Sequence, residues 1–217
     1  MTFDDAMDVM EDEATEDMEK MAAMLPSEHP YMRSTPVEIW KNRIPWLLLL
    51  MVSATFTGQI ISSFEDALSA FTILTAYIPM LMDTGGNSGS QACVSIIRGI
   101  SLNEIEFRDL GRVVWKEIRV SVLCGVCLAI ACFAKIIVGD MLLLKSESVT
   151  YLVAFVVCAT MAVTVCLAKI VGSTLPLLAK KLGFDPAVMA SPIITTIVDF
   201  LSLLVYFAFA TAMLGIG

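Results

Sequence analysis

Between residues 189 and 214 an otherwise apolar stretch carries Ser191, Thr195, Asp199, Ser202 and Tyr206, at steps of four, four, three and four. That spacing puts all five on one face of an α-helix, as a polar seam. Asp199 is the single acid near the middle of the stretch. A carboxylate inside a bilayer is costly, and is retained for function where it faces a bundle interior or a water-filled path. A protonated Asp bonded to a hydroxyl of a neighbouring helix is the structural counterpart, but it does not require hydroxyls running on either side. A second seam, Thr84, Ser88, Gln91, Ser95 and Arg98, has Asn87 beside it. Two such seams facing each other would form a hydrophilic conduit. Gly85, Gly86 and Gly89 let backbones approach closely, which tight helix packing alone also explains. Pro192 is expected to loosen the helix near Ser191 and free a carbonyl. Hydroxyls, carbonyls and a carboxylate are hard oxygen ligands suited to a hard cation, and the seams lack the soft ligands that copper or zinc would take. One Asp per chain supplies little charge for a divalent ion. Two chains meeting at a two-fold axis along the last stretch would present two Asp199 carboxylates, enough for a hydrated Mg²⁺ held through its waters.

The elements that must position these residues follow from composition. Of 217 residues 57% are apolar and 17% charged, with a mean hydropathy of +0.79, which excludes an ordinary soluble globular protein. The net charge of -8 is concentrated at one end, where nine acids fall within the first 19 residues. From residue 20 onward the 14 basic residues meet 13 acids, so neither part suits a nucleic-acid partner. The six cysteines lie in apolar runs and read as small hydrophobes; Cys124 and Cys127 have a metal-pair spacing but no second pair, and His29 is the only histidine. The acidic start lacks the basic region of a secretory signal.

A crossing helix needs roughly 20 apolar residues, which gives five spans near 44–63, 68–97, 117–138, 150–172 and 189–214. The fold class is therefore all-α, a multi-pass membrane protein. The span 68–97 is too long for a straight crossing and is expected to break or bend at Pro79 and the Asp83–Gln91 run. Arg33, Lys41, Arg43, Arg98, Arg108, Arg112, Lys116, Lys180 and Lys181 all fall on one side, so the N-terminus is expected inside the cell and the C-terminus outside. Residues 1–35 form an acidic stub, with an amphipathic helix over 2–24 and a linker marked by Pro26, Pro30 and Pro36; residues 36–217 form the membrane domain. No internal repeat is visible.

The run Pro-Met-Leu-Met-Asp-Thr-Gly-Gly-Asn-Ser-Gly-Ser-Gln at 79–91 and the run Asp-Pro-Ala-Val-Met-Ala-Ser-Pro-Ile-Ile-Thr-Thr-Ile-Val-Asp at 185–199 resemble the MgtE family of magnesium channels and transporters. Trp-Lys-Glu at 115–117 supports the resemblance, which runs through residues 36–214. It implies a homodimer with five spans per chain in the cell membrane and a pore on the dimer axis. In that pore Asp199 would bind hydrated Mg²⁺ and the backbone of Thr195 would line the path, with Ser191, Thr196, Ser202, Asn87, Gln91, Gly85 and Gly86 along it. Mn²⁺, Co²⁺ and Ca²⁺ are the other candidate ions. Residues 2–18 look like the tail of a CBS domain running into a connecting helix. By the same resemblance Asp5, Asp8, Glu13, Glu16, Asp17 and Asp185 match acids that sense magnesium. Clustered carboxylates repel one another until a divalent ion screens them, which turns ion concentration into a conformational bias.

Two other readings use the same residues. A carrier coupling Mg²⁺ to Na⁺ or H⁺ keeps the fold. An intramembrane aspartyl protease would pair Asp83 with Asp199, but the Gly-x-Gly-Asp pattern of that class is missing and Asp83 precedes its glycines. No enzyme activity is expected, and a purely structural scaffold leaves both seams unexplained.

Overall fold

A computed structural model describes residues 3–27, 29–146 and 148–215, and these residues are helices joined by short turns. Helix α1 (Phe3–Met21) carries the acidic segment, and α2 (Pro36–Ser63) begins at a capping box. There Thr35 accepts from the Glu38 N–H while the Glu38 side chain accepts from the Thr35 N–H, and Pro36 occupies the first turn, where its missing N–H costs nothing. A short α3 (Glu65–Ala70) and a 3-10 turn (Thr72–Tyr77) lead into α4 (Ile78–Ser101). Helix α5 (Leu110–Lys135) continues as π-helix over Ile136–Leu143, and α6 (Tyr151–Leu182) ends at Gly183, whose φ of 82° only glycine adopts without strain. A 3-10 turn (Pro186–Met189) then enters α7 (Ser191–Leu214).

Among the described residues four helical stretches are long and apolar enough to cross a membrane: Pro36–Ser63, Phe107–Leu143, Tyr151–Leu182 and Pro186–Leu214. The expected break at 83–91 is not there. Helix α4 runs unbroken through the glycines, and the irregular backbone lies earlier, at residues 71–77. Pro79 sits in the first turn of α4, where proline disturbs no hydrogen bond, so it starts the helix instead of bending it.

Between lipid-facing helices there is little hydrophobic driving force, because acyl chains are as apolar as leucine; association depends on close packing of small residues. The core shows this directly. A Cβ placed on Gly172 of α6 would fall on the carbonyl oxygen of Gly89, so the two backbones touch. A Cβ on Gly85 would lie 2.6 Å from Thr164 Cγ2 and 2.9 Å from Val198 Cγ1, and one on Gly86 would lie 3.0 Å from Thr195 Cγ2. Gly85 meets Thr164 and Gly89 meets Ala168, so α4 and α6 run parallel. Gly89 meets Ile194 while Gly85 meets Ser202, so α7 runs antiparallel to both. Outside this trio, α5 packs on α6 through Gly125 against Ala162, and α2 lies at the edge with Leu47, Leu48, Met51 and Phe56 exposed.

Gly172→Ala is therefore expected to destabilise by about 2 kcal/mol or more, since the obstruction is backbone and cannot rotate away. Gly111→Ala, at a helical position with nothing within 4 Å, should be neutral or slightly stabilising. Thermal unfolding of the two purified variants in detergent checks the contrast.

Candidate functional site

The polar seam of α7 divides into two halves. Thr195, Thr196 and Asp199 are partly exposed, whereas Ser202 and Tyr206 are 1% and 0% exposed. The Ser202 hydroxyl donates to its own helix at the Val198 carbonyl (2.6 Å), and the Tyr206 hydroxyl donates to the Leu74 carbonyl (3.0 Å) in the turn before α4. That turn covers Tyr206, while Ser202 lies against Gly85 of α4. Pro192 sits in the first turn of α7, where its missing N–H breaks no helical bond, so it starts the helix instead of loosening it, and its carbonyl accepts from both Thr195 Oγ1 (2.9 Å) and Thr196 Oγ1 (3.0 Å). The side chain of Ser191 lies outside the described residues.

On α4 the exposed polar positions are Asp83, Asn87, Gln91, Ser95 and Arg98, while Ser88 is 7% exposed. Gly85 and Gly86 are buried and set the spacing of α4 to α6 and α7. The Asn87 amide donates to Asp83 Oδ1 at 3.0 Å, and the Ser95 hydroxyl bonds back to the Gln91 carbonyl. Because Gly86 packs on Thr195 with the helices antiparallel, Asn87 and Asp83 come level with Thr195 and Asp199. Ser53, Phe56 and Thr57 of α2 border the other flank of α7 across an apolar cavity of about 190 Å³, against Thr196, Ile197 and Phe200. The outcome is a groove along α7, with α4 on one side and α2 on the other, whose floor carries hydroxyl, amide and carboxylate oxygens.

Asp185 stands apart from this groove, at the other side of the α7 entrance. Its carboxylate accepts from the Ala187 N–H (2.8 Å), capping the 3-10 turn, and forms an ion pair with Lys20 of α1 (2.6 Å). Lys20 also pairs with Glu16 (2.5 Å). Met21 packs against the core of Cys93, Ile97 and Ile194, so α1 is docked on the entrance to α7. Burial pushes the Asp185 carboxyl upward, but the Lys20 ammonium and the Ala187 N–H outweigh it and hold the group below the ordinary range. Asp17 is raised, by burial first and by the Asp185 charge second. The ammonium of Lys20 is held strongly protonated by its hydrogen bonds to Asp185 and Glu16. A cavity of about 190 Å³ beside the pair is lined by Asp17, Asp185, Lys180 and Ser101. Asp8 and Glu13 are exposed along α1, as is Asp5, which makes an interaction of its own.

The six cysteines carry free thiols, and among the described residues no three His, Cys, Asp or Glu side chains come together as a metal cluster. Sequence reasoning passed over two charged residues. Lys169, 4% exposed in the middle of α6, is signalled in the sequence by a basic residue within an apolar span. Asp83, at the head of the 83–91 run, is four residues before Asn87 and on the same helix face.

The α1 contact makes a signed prediction. Lys20→Met should free α1 by about 1 kcal/mol, read as roughly fivefold faster amide exchange over residues 3–21, whereas Asp17→Asn should slow it by removing repulsion from Asp185. On acidification Asp17 protonates first, because its pKa is raised, and docking strengthens. The Asp185 contribution is lost only when pH falls through its lowered value. Exchange corrected for intrinsic rates should therefore pass through a minimum between the two.

Comparison with known proteins identifies the family. The MgtE family, described as a divalent cation transporter, matches residues 78–209, which run from the start of α4 into α7. The "Magnesium transporter MgtE" of Thermus thermophilus is 36% identical over 215 residues, covering 99% of this chain and 46% of that protein. The proteins of the same name from Bacillus subtilis and Enterococcus faecalis are 36% and 30% identical, over 99% and 97% of this chain and 45% and 44% of theirs. The chain spans about half the length of these relatives. A family match over more than half of its residues places this chain in the MgtE family of divalent cation transporters.

Proposed function

We propose that the chain is a Mg²⁺-permeation domain that acts as a homodimer, with the ion path along the α4–α7 groove and Asp199 as its cation-binding carboxylate. The observation that carries this reading is the placement of Asp199, partly exposed on a membrane-length helix whose neighbouring α4 face presents Asp83, Asn87 and Gln91 outward. A carboxylate on such a face is unfavourable against lipid, so it is set against water or a second polar surface. The matched relatives carry magnesium in their names, and oxygen ligands without soft donors suit that ion.

In this reading α4 supplies the fifth crossing. It has 24 residues, a length of about 36 Å at 1.5 Å per residue, and it runs parallel to the membrane-length α6. Its hydropathy is lowered by the groove residues and glycines, which the other helices cover on its opposite side. A second copy related by a two-fold axis would bring its own groove to the first, so that both Asp199 carboxylates face one axis. Thr195, Thr196, Asn87 and Gln91 line the path, with Gly85 and Gly86 setting the helix spacing behind it. Ser202 stands behind the wall, against Gly85 of α4, and lies off the path in this arrangement. The acids of α1 and Asp185 would bias docking at the entrance when internal Mg²⁺ rises. On the charge asymmetry of the loops, the N-terminus is cytoplasmic.

Purified protein in proteoliposomes tests the reading, with Mg²⁺ uptake followed under an imposed membrane potential. Potential-driven uptake should appear in the natural sequence and fall at least tenfold in Asp199→Ala. Uptake unchanged by the substitution would remove Asp199 from the path, and uptake that requires a Na⁺ or H⁺ gradient would establish a coupled carrier instead.

A further inference from the structure

We infer that Asp83 is a second anionic ligand of the ion held by Asp199, so that each chain alone brings two carboxylates to one divalent cation. The inference rests on reading the α4–α7 groove as an ion path and adds a residue to it. Asp83, Asn87 and Ser90 follow at steps of four and three, which places them on one face of α4. The α7 partner of that face is set by contact: Gly86 lies against Thr195, and Gly85 lies against Val198 and Ser202. With the two helices antiparallel, one turn from Gly86 toward the start of α4 reaches Asp83, and one turn from Thr195 along α7 reaches Asp199. The carboxylates therefore stand at the same level on adjoining helices.

Two further observations point to a ligand between them. The Asn87 amide donates to one oxygen of Asp83 at 3.0 Å, which fixes the direction of a side chain that would otherwise sweep freely on an exposed face. One turn further inward Ser90 is only 9% exposed and its hydroxyl has no hydrogen-bond partner. Buried hydroxyls are normally satisfied, and this one lies on the Asp83–Asn87 face, level with the first turn of α7. A hydrated divalent ion descending the groove would meet Asp83 and Asp199 together, and its water shell would next meet the Asn87 amide, with the Ser90 hydroxyl behind it. The number of charged ligands is what tunes affinity for a hard divalent ion. A lone Asp199 suits a monovalent ion as well as a divalent one, whereas the pair favours the doubly charged ion.

Mn²⁺ binding by electron paramagnetic resonance decides this, on the full chain in nanodiscs, for the natural sequence, Asp83→Asn, Asp199→Asn and the double substitution. The acids of α1 and Asp185 are the same in all four proteins, so differences report on the groove. Each single substitution should weaken binding of the same ion by about tenfold, and the double should lose no more ions than either single. Asp83→Glu, which keeps the charge, should stay within about threefold of the natural sequence, which separates loss of charge from loss of fold. Mn²⁺ binding unchanged in Asp83→Asn, or two different ions lost by the two single substitutions, would overturn the inference. The underlying reading is judged separately by Mg²⁺ uptake in Asp199→Ala: if uptake persists, the path lies elsewhere, while the Mn²⁺ titration still shows whether the two carboxylates share an ion.

Discussion

Backbone contact between Gly89 and Gly172 governs the arrangement of this chain. The Gly89 carbonyl occupies the place where a side chain on Gly172 would begin, so α4 and α6 approach as closely as two helices can. Once that contact is made, Gly85 and Gly86 bring α4 down on Val198 and Thr195 of α7 as well. Helix α4 spends its whole small-residue side on this double contact. What remains outside is the polar side, because the Asp83–Gln91 run offers glycines and polar residues and little else. The same packing that stabilises the bundle therefore determines which groups border the groove, and a change at Gly172 would be felt at Asp199 without touching it.

The two ends of the bundle are held by a different force. At one end Lys20 ties α1 to Asp185 and hence to the turn that starts α7. At the other, the Tyr77 hydroxyl donates to Asp140 at 2.7 Å, Lys135 pairs with Asp140 at 2.8 Å, and the same ammonium lies 5.2 Å from the Tyr77 ring centre. This second cluster joins the turn before α4 to the π-helical end of α5, where the widened backbone turns Asp140 inward to 13% side-chain exposure. Between the ends the contacts are apolar, including Phe64 stacked on Phe207 at 4.5 Å. Lys20–Asp185 at the start of α7 and the Tyr206 bond to the Leu74 carbonyl in its second half leave the Asp199 turn as the partly exposed middle.

How much of this could be read from the residues depended on the range of the interaction that decides it. Helical character and four of the five expected apolar spans follow from composition over about 20 residues and match long helices, with α2 starting at residue 36 instead of 44 because a capping box and Pro36 extend it, whereas the stretch 68–97 is not among the helices apolar enough to cross. The division of the α7 seam was not legible. Helix periodicity puts Ser202 and Tyr206 on the face of Thr195 and Asp199, but it cannot tell that Gly85 of α4 covers Ser202 and the turn at Leu74 covers Tyr206. The glycines illustrate the same limit. Their spacing permitted a broken helix or a tightly packed one, and only the position of Gly172, more than 80 residues away, selects packing. Asp185 was picked out by its place in a motif, whereas its actual partner, Lys20, sits across 165 residues of sequence and no local pattern announces it.

The groove itself argues for what must cover it. Its α7 floor lies between an α4 flank, reached through Ile194 and Val198, and an α2 flank, reached through Thr196 and Phe200. The α2 flank is apolar and loosely attached, and suits lipid or another helix equally well. The α4 flank is polar and cannot be buried in hydrocarbon without losing hydrogen bonds that lipid does not return. Any cover must therefore be polar where it meets α4 and apolar where it meets α2, and it must leave room for water at Asp199. In the proposed dimer the chain satisfies all three demands with its own surface, because a two-fold axis through the groove sets each polar α4 face toward its symmetry mate. A lipid acyl chain satisfies only the second demand, so the groove of a lone chain would be the least stable part of its surface in a bilayer.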